Sequence, residues 1–173
     1  MQAEAWADAE RKLALADPVA LSAIELIYRE ARLLDDQRYR DWDELWAEGE
    51  TRYVVPMRRE VVDYDATLNF INDDSPMRRR RVDRMTSGHA GAVNAVGRTV
   101  RTVSRFAVDR IGDHELRVTS TEIVVAYKQG DHQVWAAELT HHILSADDRP
   151  CIRAKIVHLV DAEHTVRTCG FLL

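Results

Sequence analysis

The chain has 173 residues and a mass of 19.8 kDa, within the roughly 100–200 residues of one compact domain and long enough to bury about 70% of its unfolded surface without a staple. Hydrophobic residues make up 46% and charged residues 31%, and no apolar run approaches the ~18 residues of a membrane-spanning helix, so a soluble chain is expected. A net charge of −5 and a pI near 5.8 argue against general affinity for nucleic acid or anionic membranes.

The opening residues carry Glu4, Asp8, Glu10, Arg11 and Lys12 and lack the apolar core of a secretory signal, which points to the cytoplasm. We read 1–16 as an N-terminal extension of a single domain over 1–173. Asp17-Pro18 starts a helix, because Asp caps free N–H groups and Pro fits the first turn. Leu21, Ile24, Ile27, Tyr28, Ala31 and Leu34 then recur at helical spacing. Asp35-Asp36 interrupts the stripe, and Tyr39, Trp42, Leu45 and Trp46 resume it up to Gly49, giving a helical hairpin or kinked pair over 17–49.

Residues 51–95 read as short strands, a helix and a loop. Arg52 to Met57 is a strand with Pro56 at an edge or end, and Thr67 to Ile71 is a second one. Asn72 to Pro76 turns into a short helix, Met77 to Met85, and Gly88 to Ala95 is a loop. From 96 to 173 the pattern is β. Val96, Val100, Phe106 and Val108 share one phase, then Ile123, Val125 and Tyr127. Further strands run over Val134 to Leu144 and Ile152 to Val160, with Thr165 to Leu173 completing the sheet. Helices followed by long antiparallel strands make an α+β layout in which helices cover one face of a curved sheet of about five or six strands.

Arg78 to Arg81 spread around a helix and cannot form one phosphate-binding face, so they read as a solvated or partner-facing surface. His141 and His142 are adjacent in a strand and point to opposite faces, which argues against a shared metal ion. Cys151 and Cys169 are too isolated for a disulfide framework, and neither has the nearby histidine of a Rieske cluster site. A pocket under the helices would draw its acid/base groups from Tyr28, Asp35, His89 and His141. Tyr28 lies on the apolar stripe and reads as core, and Asp35 reads equally as a cap or turn residue.

Glu30-Ala31-Arg32-Leu33-Leu34-Asp35-Asp36-Gln37-Arg38-Tyr39, Trp42, Leu45 and Arg52-Tyr53-Val54-Val55-Pro56-Met57-Arg58 resemble the opening of the beta, or small, subunit of aromatic ring-hydroxylating dioxygenases. The resemblance continues through Asp73-Asp74, Arg81-Val82-Asp83-Arg84-Met85, Ile152 to Asp161 and the apolar Phe171-Leu172-Leu173. It departs at Thr86 to Gly91, where the family usually shows a Trp and a Pro-Ser-Arg segment, and at Leu139 to His142, where it tends to carry Arg and Asp.

The resemblance implies a cone-shaped, nuclear transport factor 2-like (cystatin-like) fold and a non-catalytic, metal-free subunit. Its partner would be a large alpha subunit holding a Rieske iron–sulfur cluster and a mononuclear iron, commonly three of each subunit in a hexamer, with the small subunits self-associating as a trimer. We expect contact through an Arg-rich polar surface, with Arg58, Arg59, Arg101 and Arg105 as candidates, rather than through an apolar patch. The competing readings are a free-standing dehydratase or isomerase acting on a small molecule in the cone, and a non-catalytic small-molecule binding or scaffold domain.

Overall fold

The structure is a computed structural model and describes residues 11–61, 63–87, 97–128, 130–145, 149–164 and 170–173. Strand β1 (Arg11–Leu13) precedes helices α1 (Pro18–Asp35) and α2 (Tyr39–Asp43). Strands β2 (Arg52–Pro56) and β3 (Asn69–Asp73) lead to helix α3 (Ser75–Thr86). The long strands β4 (Arg98–Arg110), β5 (Glu115–Lys128), β6 (Asp131–Leu144) and β7 (Cys151–Leu159) follow. All join a seven-stranded sheet in the order β1-β4-β5-β6-β7-β2-β3. Among the described strands the β2/β7 pair is parallel and the other pairs are antiparallel, so the sheet is mixed and mostly antiparallel. The count exceeds the expected five or six partly because Arg11 to Leu13, read as extension, pairs with Val108 to Arg110.

Helix α1 starts as its sequence dictates. The Asp17 side chain accepts the Val19 N–H at 2.9 Å, with Pro18 in the first turn. Ala20, Ala23, Ile27 and Leu34 face the sheet and are buried. Tyr28 is not core as expected: it is 52% exposed, and its ring meets Phe106 edge-on at 5.3 Å. Both Tyr28 and the exposed Leu21 sit more than a third of a turn from the centre of the buried stripe, at about 100° per residue.

The second helix is shorter than its apolar spacing predicts. It ends at Asp43, and Trp46 instead makes a parallel bridge to Ile152 while Ala47 N–H donates to the Ile152 carbonyl at 2.8 Å. Trp42, Trp46 and Tyr53 pack edge-to-face with centroids 5.4–6.2 Å apart, so the repeat reports burial rather than helix. Strand β3 begins two residues later than expected, because Asp63 holds a turn by accepting from the Asp65 and Ala66 N–H groups. Helix α3 is longer at both ends than Met77 to Met85 and is capped by Asp74, which accepts the Met77 N–H at 2.8 Å.

The arginine run on α3 is not simply a solvated or partner-facing surface. Arg78 is buried, donates to Asp43 at 2.7 Å and to Thr51, and lies 4.2 Å above the Trp46 ring. Arg81 forks onto Asp73. Val100 and Val108 do not share a face, because a bulge between Ser104 and Ala107 reverses the alternation. Val96 lies outside the described residues. Phe171 to Leu173 do not extend the sheet; they are buried against its inner side, with Phe171 edge-on to Trp135 at 5.0 Å.

Candidate functional site

The inner face of the sheet meets α1 through two sets of buried charges. Glu30 points inward from the helix, where Trp42 Nε1–H donates to its Oε1 at 2.9 Å and the Lys155 ammonium lies 3.1 Å from the same oxygen. His141 Nε2 is 2.8 Å from Oε2. Glu30, His141 and Lys155 are each at most 1% exposed. Burial works against the Glu30 charge, but Lys155 and then His141 outweigh it and hold the carboxyl well below the usual carboxylate range. The ammonium and indole share Oε1 and the imidazole takes Oε2, so three of the carboxylate's roughly four acceptor positions are occupied.

The second set lies at the end of the helix. Asp35 accepts the Thr99 hydroxyl and the Arg101 backbone N–H, each at 2.8 Å, and the Arg101 guanidinium. That guanidinium also reaches the Leu172 carbonyl, faces Glu122 at 3.4 Å and lies 5.5 Å from the Phe171 ring. Tyr53 O–H donates to the Leu173 carbonyl at 2.8 Å from the other side. Asp35 is therefore more than a cap or turn residue: it fixes the helix end to β4.

The three acid/base candidates among the described residues do not share one pocket. Tyr28 and Asp35 both line a groove of about 600 Å³ between α1 and β4, with Arg98 and Thr102 opposite. His141 is sealed beneath the helix. His89 lies outside the described residues. His142 points to the other face, 3.4 Å from Glu115. Burial, with Arg117, Arg153 and His141 nearby, pushes its imidazole down to about 4. Among the described residues no group of three His, Cys, Asp or Glu side chains is arranged to hold a metal ion.

Of the arginines proposed for a partner surface, Arg101 must be withdrawn. Its side chain is 0% exposed, because its donors are needed by Asp35 and the C-terminal segment. Arg58 is exposed. Arg59 and Arg105 share an outer-face cleft of about 450 Å³ with Glu138 and His158, and Arg59 pairs with Glu138 at 2.9 Å. The surface is also more apolar than expected. Val100, Val125 and Val134 lie side by side on β4, β5 and β6, with Ile123 and Tyr127 on the same outward phase, all exposed. The residues missed by sequence reasoning are Glu30 and Lys155. Lys155 carried a readable signal, since it shares the inward phase of Val157 and Leu159.

Helices laid over a mixed sheet of this strand order place the chain in the nuclear transport factor 2-like, cystatin-like class of α+β folds. The solved beta subunit of benzoate 1,2-dioxygenase from Burkholderia mallei ATCC 23344 has this fold, superposing with a TM-score of 0.67 over 85% of this chain and 93% of its own, at 20% identity. The chain belongs to the ring hydroxylating beta subunit family, whose model matches residues 29–165. It is 30% identical over 126 residues to the small oxygenase component of the p-cumate 2,3-dioxygenase system of Pseudomonas putida, covering 72% of this chain and 69% of that one. It is also 31% identical over 111 residues to the N,N-dimethyl phenylurea N-demethylase subunit beta of Sphingobium sp. (strain YBL2), a match spanning 62% of each.

Proposed function

We propose that this chain is the non-catalytic small subunit of an aromatic ring-hydroxylating dioxygenase, holding the large subunits in register. The observation that carries the reading is the family match across residues 29–165. Two of the acid/base candidates serve as cross-links between helix and sheet, His141 with Glu30 and Asp35 with Arg101, which supports a scaffold role for them. In this reading the Rieske cluster and mononuclear iron belong to the large alpha subunit, three of each subunit form a cytoplasmic hexamer, and the small subunits touch as a trimer. Arg58, Arg59 and Arg105, with the outward apolar residues of β4 to β6, form the contact surface.

Co-expression tests this. The chain is expected to co-purify with a cognate Rieske-type large subunit, to sharpen its assembly to a hexamer, and to raise oxygen-dependent turnover of an aromatic substrate. Turnover of a small hydroxylated or keto compound by the chain alone, together with no binding to that subunit, would establish the dehydratase or isomerase reading instead.

A further inference from the structure

Strand β4 places two residues, Arg105 and Phe106, opposite Ser120 of β5, since pairing passes from Ser104–Thr121 to Ala107–Thr119. The bulge lets Phe106 turn inward against the core while Arg105 stays exposed. Arg105 takes a φ of 58°, the left-handed region, where a glycine or asparagine would sit with less strain. An arginine kept in such a place is informative only if its side chain contributes something glycine cannot. Within the chain it contributes no hydrogen bond or ion pair to any described residue.

The Arg105 guanidinium opens onto the outer cleft. Arg59 has already neutralised Glu138 there, and the hydroxyls of Thr119, Thr121 and Thr140 line the walls. Burial lowers the His158 imidazole's affinity for a proton, with Glu138 opposing and Arg59 reinforcing. Glu60 at the rim is the remaining carboxylate. An unpaired guanidinium fork beside hydroxyl donors matches one planar carboxylate.

Next to the cleft on the same face come the row Thr102–Ile123–Ala136 and then the row Val100–Val125–Val134. Val100 is 65% and Val134 63% exposed. An apolar stripe of a few hundred Å² falls short of the ~800 Å² per partner that a stable complex covers, and the polar cleft supplies the adjoining margin. Together they fit a partner segment that carries an acidic side chain beside apolar ones.

We infer that this face docks the large subunit, with one Asp or Glu carboxylate of that subunit seated on Arg105 and its apolar neighbours covering Val100, Val125 and Val134. The inference rests on the assembly reading above, and the experiment separates the two. Wild-type chain, Arg105→Gly and Glu60→Gln are each co-expressed with the cognate large subunit, and the affinity of the purified components is measured at low and high salt. Arg105→Gly relieves the strained backbone, so its melting temperature should equal or exceed wild type while affinity falls at least tenfold. Glu60→Gln, which removes a competing carboxylate, should tighten binding severalfold, and added salt should weaken the wild-type complex more than the Arg105→Gly complex.

If the wild-type chain does not bind the large subunit, the assembly reading fails and this inference falls with it. Equal affinities for wild type and Arg105→Gly would overturn the docking inference alone. So would a melting temperature for Arg105→Gly several degrees below wild type, which would mark a role within the chain, or loss of self-association rather than of large-subunit binding, which would make the occupant a second copy.

Discussion

Replacing Glu30 by Gln removes one negative charge from the interior and leaves the side-chain shape almost unchanged. The carboxylate it removes lies 3.1 Å from the Lys155 ammonium and 2.8 Å from His141. Without it the ammonium is left buried with no counter-ion, and breaking a buried pair from one side costs about 3–5 kcal/mol. In a chain of this size that lowers the melting temperature by about 6–20 °C. Glu30→Gln combined with Lys155→Met removes both charges, and about half or more of the loss should return, because the penalty comes from the orphaned ion.

Acid adds a second signature. The folded state holds the Glu30 carboxyl below its ordinary value of 4.5, so as pH falls the unfolded chain takes up this proton first. The Glu30 contribution is therefore fully present above about pH 4.5 and declines below it by about 1.4 kcal/mol per pH unit. The Gln variant lacks that slope, so its stability deficit narrows in acid. Urea denaturation followed by tryptophan fluorescence, repeated from pH 7 to 3, measures both effects. A Glu30→Gln protein melting within about 2 °C of wild type, or a double variant no more stable than the single one, would refute the reasoning.

Arg101→Leu should unfasten the C-terminal segment, since Leu172 and Asp35 both lose their guanidinium donor; we expect a loss of about 3 kcal/mol or more and faster proteolysis beyond Val160, whereas proteolysis at the wild-type rate would contradict the assignment. The His142 imidazole should titrate near 4 by NMR. Because the unfolded chain accepts that proton at its ordinary value of 6.5, stability should fall as pH drops from there towards 4, and His142→Gln should lose this component.

The long strands and α1 were legible because their apolar periodicity is set by burial on one face, and Asp17-Pro18 marks a helix start by backbone chemistry alone. The same logic failed where burial and local conformation part company. Trp46 has helical spacing from Trp42 yet sits in an extended bridge, since the aromatic cluster with Tyr53 is assembled across the chain. The bulge at Arg105 was invisible because the residue there has no left-handed preference, and one inserted residue exchanges the two faces of β4. The charged cross-links were hidden for a related reason: an arginine such as Arg101 reads as surface until its partners, far away in sequence, are known to lie beneath a helix.

Glu30 and His141 are separated by 111 residues, and Arg52 of β2 pairs with Ala154 of β7. The N-terminal helix can reach β4 through Asp35 but cannot complete its fastening to the sheet until β6 has been made, nor can β2 join until β7 arrives. On a ribosome, α1 would emerge with its acidic side chain still hydrated and its apolar stripe without a sheet to cover. Contacts this distant carry a large loop-closure cost before they repay it, which slows folding and prolongs exposure of sticky surface. The nascent chain is thus most vulnerable to aggregation during the interval between synthesis of α1 and synthesis of β7, when a holdase chaperone or an already folded partner would protect it most.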